Sequence, residues 1–244
     1  MQRRDFLRSL LVAGPLSVAS AHAAQTPRPL RIATFEAVVT PPLGSLLCHG
    51  YGRVAEKILD PLTARGIVLM ADPLPVVLCS LDWVGISNAS HDVFREALAT
   101  AVGTTAERVS VHVVHQHNAP GIDFSTEKIL AAHGLSGKMF DVDVGRKAIE
   151  RVAKAAGEAA KEPRRVTHLG YGLAKVEKVA STRRVLTPDG KLRFWRSSSG
   201  GTKEMKAAPE GLIDPYVRLL SLWDGGRPLV SITYYACHPC ALYG

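Results

Sequence analysis

The stretch SVHVVHQHNAPG, residues 110–121, combines an alternating strand pattern with a histidine pair and a sharp turn. Side chains alternate between the two faces of a strand, so one face carries three valines and then two histidines: Val109, Val111, Val113, His115 and His117. The valines predict that this face is buried, and the imidazoles continue it where the strand ends. We therefore expect two histidines at the end of a core strand, with a hydrogen-bonded pair at a sheet edge as the alternative to a metal site.

Extended and helical patterns intermix around this strand. Apolar runs between turn signals predict strands at 30–39, 64–70, 76–83, 108–115, 166–179, 217–223 and 229–236. Apolar positions at helical spacing predict one helix with Ser90 as its N-cap and another over 141–161, which Pro163 ends. Because no repeat or low-complexity linker interrupts the chain, we predict a single α/β domain with a mixed β-sheet flanked by helices.

The first 23 residues, MQRRDFLRSLLVAGPLSVASAHA, have the layout of a secretory signal. Arg3 and Arg4 begin the RRxFL pattern of the twin-arginine type, an apolar stretch follows, and AHA supplies small residues for cleavage. An amphipathic start to a first helix is the alternative. We predict export to the periplasm or the extracellular space, with a mature chain that begins near Ala24.

Composition and charge restrict the classes of partner. The chain is 46% hydrophobic and 21% charged, which is ordinary for a globular protein. Its formal net charge of +8 becomes +6 without the signal segment, because Arg3, Arg4, Asp5 and Arg8 together carry +2. This surplus favours peripheral contact with an anionic membrane surface. The basic residues form no dense run with interleaved aromatics, so we predict no binding of nucleic acid.

A further histidine lies in the motif CHPC, residues 237–240. His238 ends the apolar pattern ITYYA, and ligands gather at strand ends in α/β sheets, so we expect it to share a metal with the upstream histidines. A redox pair needs a helix after its cysteines, which the residues after Cys240 do not predict. Cys48 and Cys79 are too isolated to complete a structural zinc site. A periplasmic thiol-disulfide protein that uses Cys237 and Cys240 nevertheless stays open as an alternative.

Four stretches resemble the neutral (non-lysosomal) ceramidase family in their order and spacing. HQHNAPG is similar to the H-x-H-S-G-P-G signature of that family, and YYACHPC resembles its later segment, in which an aromatic strand delivers a histidine to zinc. FEAVVTPPLG is similar to the opening strand with its D-I-T-P-like turn, and AKVEKVASTRRV resembles the stretch that carries an N-R pair near the substrate. The resemblance implies a ceramidase-like N-terminal catalytic domain over 24–244 that is incomplete at its C-terminus.

The resemblance also implies an activity and a set of site residues. The expected reaction is zinc-dependent hydrolysis of an amide bond in a small or lipid-like substrate, with a metal-activated water attacking the carbonyl. His115 and His238 would bind Zn²⁺, His117 would donate to the developing oxyanion, and Arg183 would orient the substrate. Thr182 stands where the family has asparagine, so strict ceramide specificity is not implied.

The zinc shell of this resemblance is incomplete within the sequence. A catalytic zinc normally has three protein ligands, and the resemblance supplies two histidines, with the glutamate and tyrosine of the family lying later in the chain. His49, His91 and Asp82 are candidates for a further ligand. A non-catalytic binding domain that keeps the fold is the remaining alternative.

Overall fold

The described residues form an α/β domain around a mixed five-stranded sheet. The computed structural model describes residues 29–51, 54–196 and 201–239, so the predicted signal at 1–23 and Cys240 lie outside the described residues. The strands are β1 (Arg31–Val38), β2 (Thr63–Met70), β3 (Val76–Leu81), β4 (Gly85–Ser87), β5 (Val109–Val113), β6 (Gly121–Asp123), β7 (Arg164–Arg165), β8 (His168–Lys175), β9 (Arg184–Leu186), β10 (Leu192–Trp195), β11 (Tyr216–Asp224) and β12 (Arg227–Tyr234). The helices are α1 (Ala89–Val102), α2 (Phe124–Ala132), α3 (Val142–Ala159) and α4 (Lys203–Ala207).

The central sheet has the strand order β5-β3-β2-β1-β7. The pairs β7–β1, β1–β2 and β2–β3 are antiparallel, whereas β5 joins β3 in parallel after the crossover through α1. A second sheet, β12-β11-β8, is antiparallel, and β4 pairs with β6 in parallel. The prediction of a mixed sheet is confirmed. The structure also contains a second, three-stranded sheet, which the sequence pattern did not distinguish from the first.

The core lies between the central sheet and helices α1 and α3. Val109 and Val111 are buried there, as their alternation predicts, together with Phe94 and Leu98 of α1 and Val152 of α3. The opposite face of the sheet borders a groove of about 540 Å³, whose other wall is β12. The helices therefore cover one face of this sheet, and a strand of the second sheet lies across from the other face.

The start of α1 differs from the prediction. The helix begins at Ala89, and Ser90 lies inside its first turn instead of capping it. Ser90 is fully buried, and its hydroxyl accepts a hydrogen bond from the backbone N–H of Phe124 at 2.7 Å. The serine therefore joins α1 to the start of α2, a helix that the periodicity did not predict.

One other segment also departs from the sequence pattern. Residues Lys203–Ala207 form the short helix α4 within a stretch whose polar composition predicts a loop. Across the three described ranges, no helix is both long and apolar enough to span a membrane.

Asp123 is the N-cap of α2 and connects three elements. Its Oδ1 accepts from the backbone N–H groups of Ser125 and Thr126, and its Oδ2 accepts from Thr126 Oγ1 and Asn88 Nδ2. Burial alone raises the pKa of Asp123, but hydrogen bonds from Thr126, Asn88 and Ser125 outweigh it and lower the pKa. The ionised carboxylate thus stabilises the junction between β6, α1 and α2.

Replacing Asp123 by alanine should lower the free energy of unfolding by about 1–2 kcal/mol at neutral pH, because a helix cap and its partners are lost. A carboxylate with a lowered folded pKa stabilises above the ordinary aspartate pKa of about 3.9 and loses that contribution as the pH falls through its folded value. The difference between wild type and variant, measured by urea unfolding at a series of pH values, should therefore shrink in acid. The exposed cap Asp141, which holds only Val144 N, is the matched control. A difference that stays constant down to acid pH would contradict the role of the ionised carboxylate.

Candidate functional site

His115 follows β5 at the edge of the core. Its backbone N–H donates to the carbonyl of Trp83 at 3.1 Å, so the chain still runs beside the end of β3. Its φ of 63° lies in the left-handed region, which is unusual for a residue with a side chain. The strand alternation predicted through His115 and His117 therefore ends at His115, where the backbone turns.

The ring of His115 is oriented by a backbone carbonyl. Its Nδ1 lies 2.7 Å from the carbonyl oxygen of Val84, and because that oxygen can only accept, Nδ1 carries the hydrogen. In the neutral imidazole, Nε2 then keeps a lone pair. A histidine held in this way is typical of metal ligands, whose second nitrogen usually donates to a carbonyl or carboxylate.

Three imidazoles converge at this point, and we refer to His115, His117 and His238 as the imidazole cluster. The Nε2 atoms of His115 and His117 are 3.4 Å apart. The ring of His238, just beyond β12, has its centroid 4.9 Å from that of His117 and 6.3 Å from that of His115. The structure thus brings together the two histidine segments that the sequence singled out, although they lie far apart along the chain.

The electrostatic environment favours neutral rings at His117 and His238. Partial burial lowers the pKa of His117, and the charges of His115, His238, Arg183 and His49 lower it further. Burial, Arg183 and His115 likewise lower the pKa of His238. Neutral imidazoles can either donate a proton or present a lone pair, which is what metal binding and hydrogen bonding to substrate require.

Arg183, the fourth residue that the resemblance singled out, lies directly before β9. Its side chain is exposed, and its charge acts on both His117 and His238. Within the described ranges, no carboxylate forms an ion pair with it. The guanidinium can therefore contact a ligand at the cluster.

His49 is a further imidazole that interacts electrostatically with His115 and His117. It has a φ of 58°, and its ring lies against the paired glycines Gly85 and Gly121 of β4 and β6. A Cβ added at Gly85 would lie 2.8 Å from Cε1 of His49, and one at Gly121 would lie 2.3 Å from the same atom. The two strands can thus accommodate the ring only because both positions are glycine.

The other two candidate ligands have structural partners. Asp82 Oδ2 accepts from the backbone N–H and the hydroxyl of Thr63, both at 2.8 Å. His91 Nε2 lies 3.2 Å from the carbonyl oxygen of Val111. Of the three residues proposed to complete a zinc shell, only His49 therefore lies where its charge acts on His115 and His117.

The donor set suits zinc in its chemistry. Zn²⁺ accepts neutral imidazole nitrogens, and the Nδ1 contact of His115 leaves its Nε2 lone pair directed away from Val84. Among residues 29–51, 54–196 and 201–239, however, no group of three or more His, Cys, Asp or Glu side chains is arranged to hold a metal ion. Two imidazoles alone do not complete a catalytic zinc shell, which normally has three protein ligands.

The cysteines do not form a redox site among the described residues. Cys237 is half-buried, with Sγ 3.7 Å from the carbonyl oxygen of His238, and its potential partner Cys240 is outside the described residues. Burial raises the pKa of Cys79 to about 12, so this thiol stays protonated inside the core. Cys48 is buried, and its backbone N–H donates to Ala119 O at 2.9 Å in the HNAPG turn.

Comparison with known proteins identifies the fold. Neither family models nor curated proteins match the chain. Among solved structures, a ceramidase complexed with C2 superposes with a TM-score of 0.60 at 19% identity, and a neutral ceramidase from Pseudomonas aeruginosa with a TM-score of 0.62 at 21% identity. The chain has a ceramidase-like fold. Each comparison covers 87% of this chain and 32% of the other, so the chain spans about a third of the length of these structures.

This ceramidase-like fold confirms the resemblance at the level of architecture. The motifs identified four residues of interest: the structure brings His115, His117 and His238 together, and the charge of Arg183 acts on two of these rings. Sequence reasoning missed Arg196, a buried arginine that follows β10 and contacts the backbone next to Arg183. No spacing pattern marks such a residue, because its partners are backbone carbonyls that every sequence supplies.

Proposed function

We propose that residues 24–244 carry the N-terminal part of an exported zinc-dependent hydrolase that cleaves an amide bond in a lipid-like substrate related to ceramide. The observation that carries this proposal is the convergence of His238 on His115 and His117 within a ceramidase-like fold. The RRxFL segment supports export to the periplasm or the extracellular space. The exposed guanidinium beside the rings supports recognition of a polar substrate group.

In this proposal His115 and His238 hold the metal. Val84 O fixes the tautomer of His115, so that its Nε2 is the nitrogen available for coordination. The bound Zn²⁺ supplies Lewis-acid polarisation of the carbonyl and lowers the pKa of a bound water toward neutrality. Addition of water to the amide carbonyl, followed by cleavage of the carbon–nitrogen bond, releases a carboxylic acid and an amine.

His117 and Arg183 act on the substrate. A neutral His117 keeps one ring N–H, which it can donate to the carbonyl oxygen as negative charge develops there. Arg183, exposed beside His117 and His238, presents a planar donor group that orients the polar end of the substrate. Together with partial burial, the positive charge of Arg183 lowers the pKa of both rings and so favours their neutral forms.

The first test is the metal content of residues 24–244. We expect about one zinc per chain by elemental analysis after dialysis, because His115 and His238 supply two imidazole donors and Val84 O orients the first of them. The His238→Ala variant should lose this zinc, since it removes one of the two donors. The exposed His133, at the C-terminal end of α2, provides a matched control in His133→Ala, which should keep it. A folded wild-type chain without zinc would contradict metal binding by these residues.

A further inference from the structure

Arg196 is a buried arginine whose guanidinium binds backbone carbonyls. Only 9% of the residue is exposed. Its Nε donates to Thr182 O at 3.1 Å, and its Nη2 donates to the same oxygen at 2.7 Å and to Pro209 O at 2.9 Å. Its Nη1 donates to Ala208 O at 2.9 Å. Within the described ranges no carboxylate pairs with it, so carbonyl dipoles alone compensate its buried charge.

Arg196 joins the residue before Arg183, Thr182, to the loop at 208–211. The backbone N–H of Arg196 donates to Arg183 O at 2.7 Å, next to the pairing of β9 with β10. Thr182 N donates to Glu210 O at 2.8 Å, which connects the residues just before β9 to the loop at 208–211. A Cβ at Gly211 would lie 2.3 Å from Thr182 Cγ2, so this loop lies directly against Thr182. The backbone on both sides of Arg183 is therefore fixed.

Arg183 needs such support because its side chain makes no ion pair of its own among the described residues. Its proposed task is to orient the polar end of a substrate, a role that belongs to the proposed function. A long, exposed side chain loses considerable rotamer entropy when it orients a ligand, and a mobile backbone would add to that loss. A rigid backbone at Thr182 and Arg183 reduces this cost.

We propose that Arg196 is a positioning residue, which clamps Thr182, Ala208 and Pro209 through their carbonyls and thereby fixes the backbone that carries Arg183. Lysine cannot replace it, because one ammonium group cannot reach carbonyls that Arg196 contacts through three separate nitrogens. The role of Arg183 toward substrate rests on the proposed function, whereas the clamp itself does not.

Hydrogen exchange tests the clamp without any substrate. In the full chain, Arg196→Lys should speed the exchange of the Thr182 and Arg196 amides roughly tenfold, since several hydrogen bonds of the clamp are lost. Amides of β2 in the central sheet should exchange as in the wild type. Arg193→Lys is the matched control, because Arg193 lies on the same hairpin in an exposed ion pair with Glu204, which contributes little. Unchanged exchange at Thr182 and Arg196 would overturn the proposal, and so would equal acceleration throughout the chain.

Kinetics on a fluorogenic short-chain N-acyl lipid amine test the link to Arg183. Arg196→Lys and Arg183→Ala should lower kcat/KM by similar factors, and the double variant should lose no more than the larger single loss. Additive losses would overturn the assignment of Arg196 to the positioning of Arg183. If the wild type itself fails to hydrolyse the probe, the proposed function fails, and the exchange experiment alone decides the clamp.

Discussion

Replacing His117 by alanine is expected to lower the turnover of amide hydrolysis by about 10²–10³-fold, because a donor to the developing oxyanion is removed. Bound zinc should remain, since His115 and His238 still supply their imidazole nitrogens. The contrast between lost rate and retained metal separates an oxyanion donor from a ligand. Turnover on an N-acyl lipid amine and zinc by elemental analysis, measured on the same preparation, check both parts.

His112→Ala is the matched control for this experiment. His112 belongs to β5, but its side chain lies on the opposite face of the sheet, where it lines the groove beside β12. Its removal should change neither the zinc content nor the turnover. If His117→Ala instead lost its zinc, His117 would be a ligand, a result compatible with the 3.4 Å between its Nε2 and that of His115.

Replacing Trp83 by alanine is expected to lower the free energy of unfolding by about 3–5 kcal/mol, the usual cost of removing a buried tryptophan ring. Trp83 has no exposed surface, and its Nε1–H donates to Val39 O at 3.0 Å. The backbone carbonyl of Trp83 also accepts from His115 N, so the substitution changes a residue whose backbone supports the candidate site. Urea unfolding of both proteins measures the loss.

Trp195→Ala provides the control for the tryptophan substitution. Trp195, at the end of β10, is 54% exposed, and substitutions at exposed positions usually change stability by less than about 0.5 kcal/mol. Comparable losses in the two variants would show that burial of Trp83 does not explain its contribution. A large loss for Trp83→Ala alone would show that burial of this ring stabilises the core to which the backbone of His115 is hydrogen-bonded.

The longer elements could be predicted from sequence because their patterns repeat. The alternating valines of β5 and the helical spacing in α3 each place several apolar side chains on one face, and burial of that face outweighs other local preferences. The segments β4 and β6 have three residues each, too few for a period. Helix α2 begins directly after Asp123, whose carboxylate caps the helix and also accepts from Asn88, the N-cap of α1. Short elements of this kind are fixed by tertiary hydrogen bonds.

The candidate site follows the same division. The sequence by itself determined which residue types are available, namely two histidine segments at the ends of apolar strands and the arginine after Thr182. Only the tertiary structure decided that His238 meets His115 and His117, that His91 and Asp82 are occupied elsewhere, and that Arg196 clamps the backbone beside Arg183. The physical reason is that distances between side chains depend on the packing of sheets and loops far apart in the chain, whereas periodicity records only the burial of each segment.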